Sequence, residues 1–206
     1  MSKIKYQKEL LMSFFREKTK KMLNMVKIMP FLREKETMPS LKGELILKAY
    51  DMADEGKLVY NYRHTNIIVN TASILIARLL KDSSEPQNGI SYLAVGSGSG
   101  EWDLFDPPAP TTSKTFLENE FYRKAIDMST FVHPETGEPT NAYTNIVDYA
   151  VTFGEGEAVG PIVEMGLFGG DATAELMSGT MINWRTFPVI NKTSTMSVTV
   201  IFRITS

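Results

Sequence analysis

From Thr195 to Thr205 apolar and polar side chains take turns: Met196, Val198, Val200, Phe202 and Ile204 fall on one parity. Thr195, Ser197, Thr199, Ile201, Arg203 and Thr205 fall on the other. Successive side chains of a strand point to opposite faces, so this segment carries one apolar face that must be covered and one that faces water. The stretch from Asn145 to Phe153 repeats the pattern, with Val147, Tyr149, Val151 and Phe153 opposed to Asp148, Ala150 and Thr152. A chain with two such strands is committed to layered β-structure.

The rest of the chain beyond Leu41 agrees. GELILKAYD, a turn at MADEGK and then LVYNYRHTN predict a hairpin, with Gly56 in the turn. Glu118 to Val132 is predicted extended, HPETGEPTN a turn, PIVEMGLFGG a short strand and turn, and GTMINWRTFPV a further strand. Strands at spacings of roughly 10–15 residues, separated by Gly and Pro turns, predict an antiparallel β-sandwich. One helix interrupts it. In IIVNTASILIARLLKD the residues Ala72, Leu75, Ile76, Leu79 and Leu80 recur at helical spacing, Asn70 or Thr71 is a natural N-cap, and the apolar stripe is expected to be buried.

The first 40 residues differ in character. They hold ten basic and four acidic residues, a net charge of +6, whereas the remainder holds twelve basic and twenty acidic residues, a net of −8. Residues 5–29 predict an amphipathic helix with Leu11, Phe15, Met22, Met25 and Met29 on one stripe, interrupted by Lys18, and a basic opposite face. Pro30 ends or kinks it, and FLREKETMPS reads as a linker. The organisation expected is a basic helical arm and linker over 1–40 and a β-sandwich domain over 41–206. Met on the stripe favours an adaptable protein contact, so these five residues are the candidate interface.

ISYLAVGSGSGEWD raises the question of a nucleotide site. A phosphate-binding glycine loop works by opening a helix whose backbone N–H groups meet the phosphate. Here Pro107, Pro108 and Pro110 follow within EWDLFDPPAP, the glycine spacing is G-x-G-x-G, and no Lys-Ser/Thr pair is present. A turn at the end of a strand is the better reading. The chain has no cysteine and only two histidines, His64 and His133, which removes thiolate chemistry and leaves no His-rich metal site. His64, beside Asn61 and Thr65, reads as a strand-end polar residue. Trp102 and Trp184 read as core or interface residues, with stacking on a sugar as the other option. No catalytic, cofactor-binding or metal-ligating residue is predicted, and the chain is not expected to be an enzyme. No apolar run reaches the ~20 residues that span a bilayer, and no signal-peptide pattern opens the chain.

The segments HTNIIVNTASILIARLL, ISYLAVGSGSG and IVEMGLFGGDATAELMSGTMINWRTFPVINKTSTMSVTVIFRI together resemble a family of small structural proteins of tailed bacteriophages, found among tail, baseplate, neck and fibre genes. The resemblance covers about residues 41–206. It is carried by an E-x-G-L-F strand (Glu164, Gly166, Leu167, Phe168), a glycine turn, an F-P-x-I-x-K strand end from Phe187 to Lys192, and the closing alternating strand. It implies a virion structural protein, assembled in the host cytoplasm, that forms a homo-oligomeric ring or trimer and docks onto other virion proteins through its N-terminal arm. Such packing lets one surface meet a different surface on the next copy. The alternative expectation is a receptor- or carbohydrate-binding module of a phage fibre, with an exposed aromatic such as Trp102. Nucleic acid is not an expected partner, because the body is acidic and the arm lacks a groove-reading pattern. Within the E-x-G-L-F strand, Leu167 or Phe168 is expected in the core. Glu164 is expected to pair with Arg185 or Lys192, or to stand solvated.

Overall fold

In the computed structural model, which describes residues 41–81 and 88–206, eleven strands and one helix follow one another. The strands are β1 (Lys42–Asp51), β2 (Lys57–Ile68), β3 (Asn88–Gly96), β4 (Glu120–Ala125), β5 (Met128–Val132), β6 (Pro139–Thr140), β7 (Ile146–Phe153), β8 (Gly160–Gly170), β9 (Thr180–Met181), β10 (Asn183–Lys192) and β11 (Met196–Thr205). The helix α1 spans Ala72–Lys81. The fold is mainly β. Every strand pair is antiparallel, and the order runs β4-β3-β8-β10-β2-β1-β11-β7-β5-β6, with β9 attached to β8.

The path is continuous yet sharply divided. The β1–β11 ladder runs the full length of β1 and the β1–β2 ladder runs from Gly43 to Asp51, whereas β10 pairs with β2 only at Asn183↔Ile68 and Trp184↔Ile67. Beyond that seam the two strands part, and β10 continues along β8. The two halves then cover each other. Leu45, Leu47, Val151, Phe153, Val198, Val200 and Phe202 from one half share a single buried cluster with Leu93, Val95, Met165, Leu167, Phe187 and Ile190 from the other. Alternation drives this arrangement, since it leaves each half one apolar face that only the other can remove from water.

A second, smaller cluster lies on the far side of β8. There Phe168, Ala94, Met181 and Trp184 are roofed by Leu117, with Phe116 and Trp102 packed against them. The roof is the proline-rich segment 97–119, which contains no helix. It is tied down where Val189 N donates to Leu104 O (2.8 Å), Thr186 Oγ1 to Pro108 O (2.7 Å) and Asn70 N to Thr112 O (2.8 Å). β8 is thus buried on both faces from Ile162 to Gly170.

Several expectations change. The N-terminal arm, with Leu11, Phe15, Met22, Met25 and Met29, lies outside the described residues. Ile67 and Ile68 finish β2, and α1 starts at Ala72, directly after the two N-cap candidates. Neither candidate cap works through its own side chain, because Thr71 Oγ1 donates to Met181 O (2.6 Å) and Asn70 accepts through its backbone carbonyl. The stripe of α1 is only half covered. Ala72 and Leu75 are buried, but Ile76, Leu79 and Leu80 are exposed, as is Ile74. The helix rests on β8, where Leu75 fits against Gly169 and Gly170 and Arg78 of the next turn reaches Gly170 and Asp171.

Candidate functional site: buried clamps and an exposed apolar surface

Four buried charged side chains organise the half that contains β8. Glu164 is one. Its Oε1 accepts from the backbone N–H of Glu118 (2.8 Å) and Asn119 (3.0 Å), and its Oε2 accepts from the Trp184 indole (3.0 Å). The expected partners are engaged elsewhere: Arg185 donates to the Tyr62 hydroxyl, and Lys192 to two carbonyls. Glu164 therefore fastens the end of the roof segment to the sheet. Leu167 and Phe168 both enter cores, one in each cluster.

The glycine loop serves the same fastening. A Cβ on Gly96 would lie 2.5 Å from Glu164 Oε1, and one on Gly98 would lie 2.4 Å from the Trp102 ring. Gly98 also has φ +68, a left-handed conformation that side chains resist. These glycines make space for a carboxylate and an indole of the protein itself. Trp102 tilts against Trp184 at 6.4 Å, half-buried, and so fills the roof instead of standing free as a sugar platform. His64 is not at a strand end. It lies within β2 and stacks on Tyr62 at 5.8 Å, with Tyr60 next in the row.

Glu120 and Arg123 form a second clamp, with side chains 0% and 1% exposed. Arg123 Nη2 donates to Glu120 Oε2 (2.9 Å), and its Nη1 donates to the carbonyls of Thr173 and Ser178 (both 3.0 Å) and to Ser178 Oγ (2.7 Å). Glu120 Oε2 also accepts the Met177 N–H (3.0 Å). The guanidinium lies 4.9 Å from the Phe168 ring centre, a cation–π contact. Residues three apart in a regular strand point to opposite faces, so alternation hides this pair. The register slips between Val95 and Gly96, leaving Phe121 unpaired in β4, and the slip brings both charges inside.

What the clamp holds is the loop 171–179. Met177 is fixed at φ +60, and Leu176 and Met177 point outward, the latter 55% exposed. This loop neighbours α1, where Arg78 lies 3.7 Å from Asp171. Ile76, Leu79, Leu80 (80% exposed), Leu176 and Met177 therefore place large apolar side chains on two adjacent elements.

Lys192 is buried at the end of β10. Its Nζ donates to Gly154 O and Met196 O (both 2.8 Å), and burial pushes its pKa below the usual lysine value. Nearby, Lys124 donates to Glu157 (2.7 Å), which also accepts the Gly154 N–H. The Lys124 hydrogen bond, then the Gly154 N–H, hold the Glu157 carboxyl below its ordinary value of 4.5. A lowered native pKa means that the unfolded chain takes up the proton first as pH falls. Wild type should therefore exceed Glu157→Gln by a few tenths of a kcal/mol at neutral pH, a partly exposed pair being weak. That advantage should persist above pH 4.5 and vanish as pH falls through the lowered value. Urea unfolding of both proteins from pH 3 to pH 7 checks this, and a pH-independent difference would contradict it.

Among the described residues no group of three or more His, Cys, Asp or Glu is placed to hold a metal ion, and no helix is long and apolar enough to cross a membrane. No protein-family model matches the chain, and no curated protein matches it.

Proposed function

We propose that this chain is a structural protein of a tailed-phage virion, a tail, baseplate, neck or head-fibre component, that assembles with copies of itself and with neighbouring virion proteins. The observation that carries the assembly role is the apolar surface of α1 and the 171–179 loop. Isolated exposed apolar residues are ordinary, but several on neighbouring elements mark contact surfaces. The loop is held by two buried charges through its backbone, leaving Leu176 and Met177 displayed at little further entropic cost on association. The phage setting rests on the sequence resemblance. In this reading the buried charges fasten loops and carry no catalytic step. The stripe Leu11, Phe15, Met22, Met25 and Met29 provides the second attachment, to other virion proteins.

The native mass of the purified protein tests the first part. Wild type is expected at a multiple of the 23.1 kDa chain mass, and Leu80→Glu combined with Met177→Glu at the monomer mass with an unchanged melting temperature. A monomeric wild type at micromolar concentration would overturn it. For the second attachment, Phe15→Glu with Met22→Glu in the full chain should preserve the fold and the self-association but abolish incorporation into particles. Normal incorporation would remove the arm from the proposal.

A further inference from the structure

On the half of the molecule away from β8, the outer face of β1, β2 and β11 forms a groove of about 740 Å³. Register places its residues in rows. Lys48 stands between Asn61 and Thr199, and Ile46 stands between Arg63 and Ile201. Tyr50 follows on β1, two residues beyond Lys48 and on the same face. A sheet face of this kind would ordinarily be flat. Here the 133–138 turn overhangs it, drawn in where Arg203 Nη2 donates to Gly137 O (3.3 Å), and Glu138 forms the far wall.

The polar groups of the groove are unequally engaged. Arg63 is forked onto Glu44, with Nε to Oε1 at 2.7 Å and Nη2 to Oε2 at 3.1 Å, and Arg203 is forked onto Asp148 in the adjoining row. Lys48 is the one cation lining the groove that makes no hydrogen bond or ion pair among the described residues. Asn61 on one side of it and the phenol of Tyr50 are equally unengaged by side-chain hydrogen bonds there. On the other side, the Thr199 hydroxyl lies 3.1 Å from that of Thr152. Beside that row, two residues along the strands on the same face, Ile46 and Ile201 form an aliphatic floor, both partly exposed.

We propose that this groove binds a carboxylate-bearing sugar ring, a uronic acid, with its carboxylate on Lys48. The volume falls within the range of small-molecule sites, about 300–1,000 Å³. Neighbouring strands are about 4.8 Å apart, so Asn61, Lys48 and Thr199 span roughly 10 Å, the reach of one substituted ring. An ammonium flanked by an amide and a hydroxyl suits a carboxylate and its neighbouring hydroxyl groups. The isoleucine floor takes the C–H face of the ring, and Glu138 accepts from hydroxyls on the opposite rim. An inorganic anion would leave that floor uncovered, and a neutral sugar would leave Lys48 without a counter-charge. The inference does not depend on self-association, which uses a different surface.

The test is titration of the isotopically labelled full-length protein with glucuronate, glucose, acetate and a disaccharide ending in glucuronate, followed by NMR. Glucuronate should give saturable shifts at the amides of residues 46–50, 61–63 and 199–201, with a Kd on the order of 1–10 mM. Tighter binding of the disaccharide would mark a glycan terminus as the source, and equal binding the free acid. Lys48→Met should weaken glucuronate binding at least tenfold while leaving the melting temperature unchanged, and Ile201→Asp should abolish it. Glucose or acetate binding as well as glucuronate, an unaffected Lys48→Met variant, or no saturable shift at these residues would each overturn the proposal.

Discussion

Arg123→Met is expected to destabilise the fold by about 3–5 kcal/mol, because it strands the Glu120 carboxylate in the interior without its counter-charge. The same change removes three hydrogen bonds to Thr173 and Ser178, so the 171–179 loop loses the groups that hold its backbone. For a chain of this size the melting temperature should fall by on the order of 10 °C. The double variant Glu120→Leu with Arg123→Met separates the two contributions. Buried ion pairs replaced as a unit by apolar residues lose little stability. Most of the global loss should therefore return, while protease sensitivity between Asp171 and Gly179 should remain raised. An Arg123→Met protein that melts within about 1 °C of wild type would mean that the pair is not closed off from water.

Glu164→Gln is the second large effect. The amide can accept the two backbone N–H groups with its oxygen, but it then turns an N–H₂ toward the Trp184 indole, where Oε2 now accepts. One buried donor is left facing another, and the loss of charge-assisted bonds adds to it, for a total of about 2–4 kcal/mol. Trp184 reports directly. Its near-UV circular dichroism should change in the folded variant, and hydrogen exchange at Glu118 and Asn119 should accelerate, since their acceptor holds the end of the roof segment. Unchanged exchange at those two amides would remove Glu164 from its fastening role.

Strands with one wet face were legible in the sequence. β7 and β11 follow their alternation, and Val151, Phe153, Val198, Val200 and Phe202 are fully buried where the period puts them. The hairpin turn was legible as well, with Gly56 at φ +72 in the expected place. β8 was under-read for a physical reason. With both faces covered it has no wet side to mark a period, and the cover comes from a proline-rich segment that reads as an ordinary loop. The burial expected for the α1 stripe failed because amphipathicity states only that a face seeks cover, and here Ala72 and Leu75 find it while Ile76, Leu79 and Leu80 do not. The partners of Glu164 were misjudged because charge suggested other charges, whereas backbone amides and an indole were nearer. Lys48, Asn61 and Thr199 lie far apart along the chain, and only the register of β1 with its two neighbours makes them a row.

The seam between β2 and β10 has a mechanical consequence. Among the described residues, β2 and β10 are joined at two residue pairs, with Val69 N donating to Ile182 O (3.1 Å) just beyond them. Cohesion of the layers therefore comes mostly from side-chain burial, which is non-directional, helped by bonds such as Arg185 to the Tyr62 hydroxyl and Lys124 to Thr152 O. Pulling the two layers apart would expose the shared core while each set of ladders stays intact.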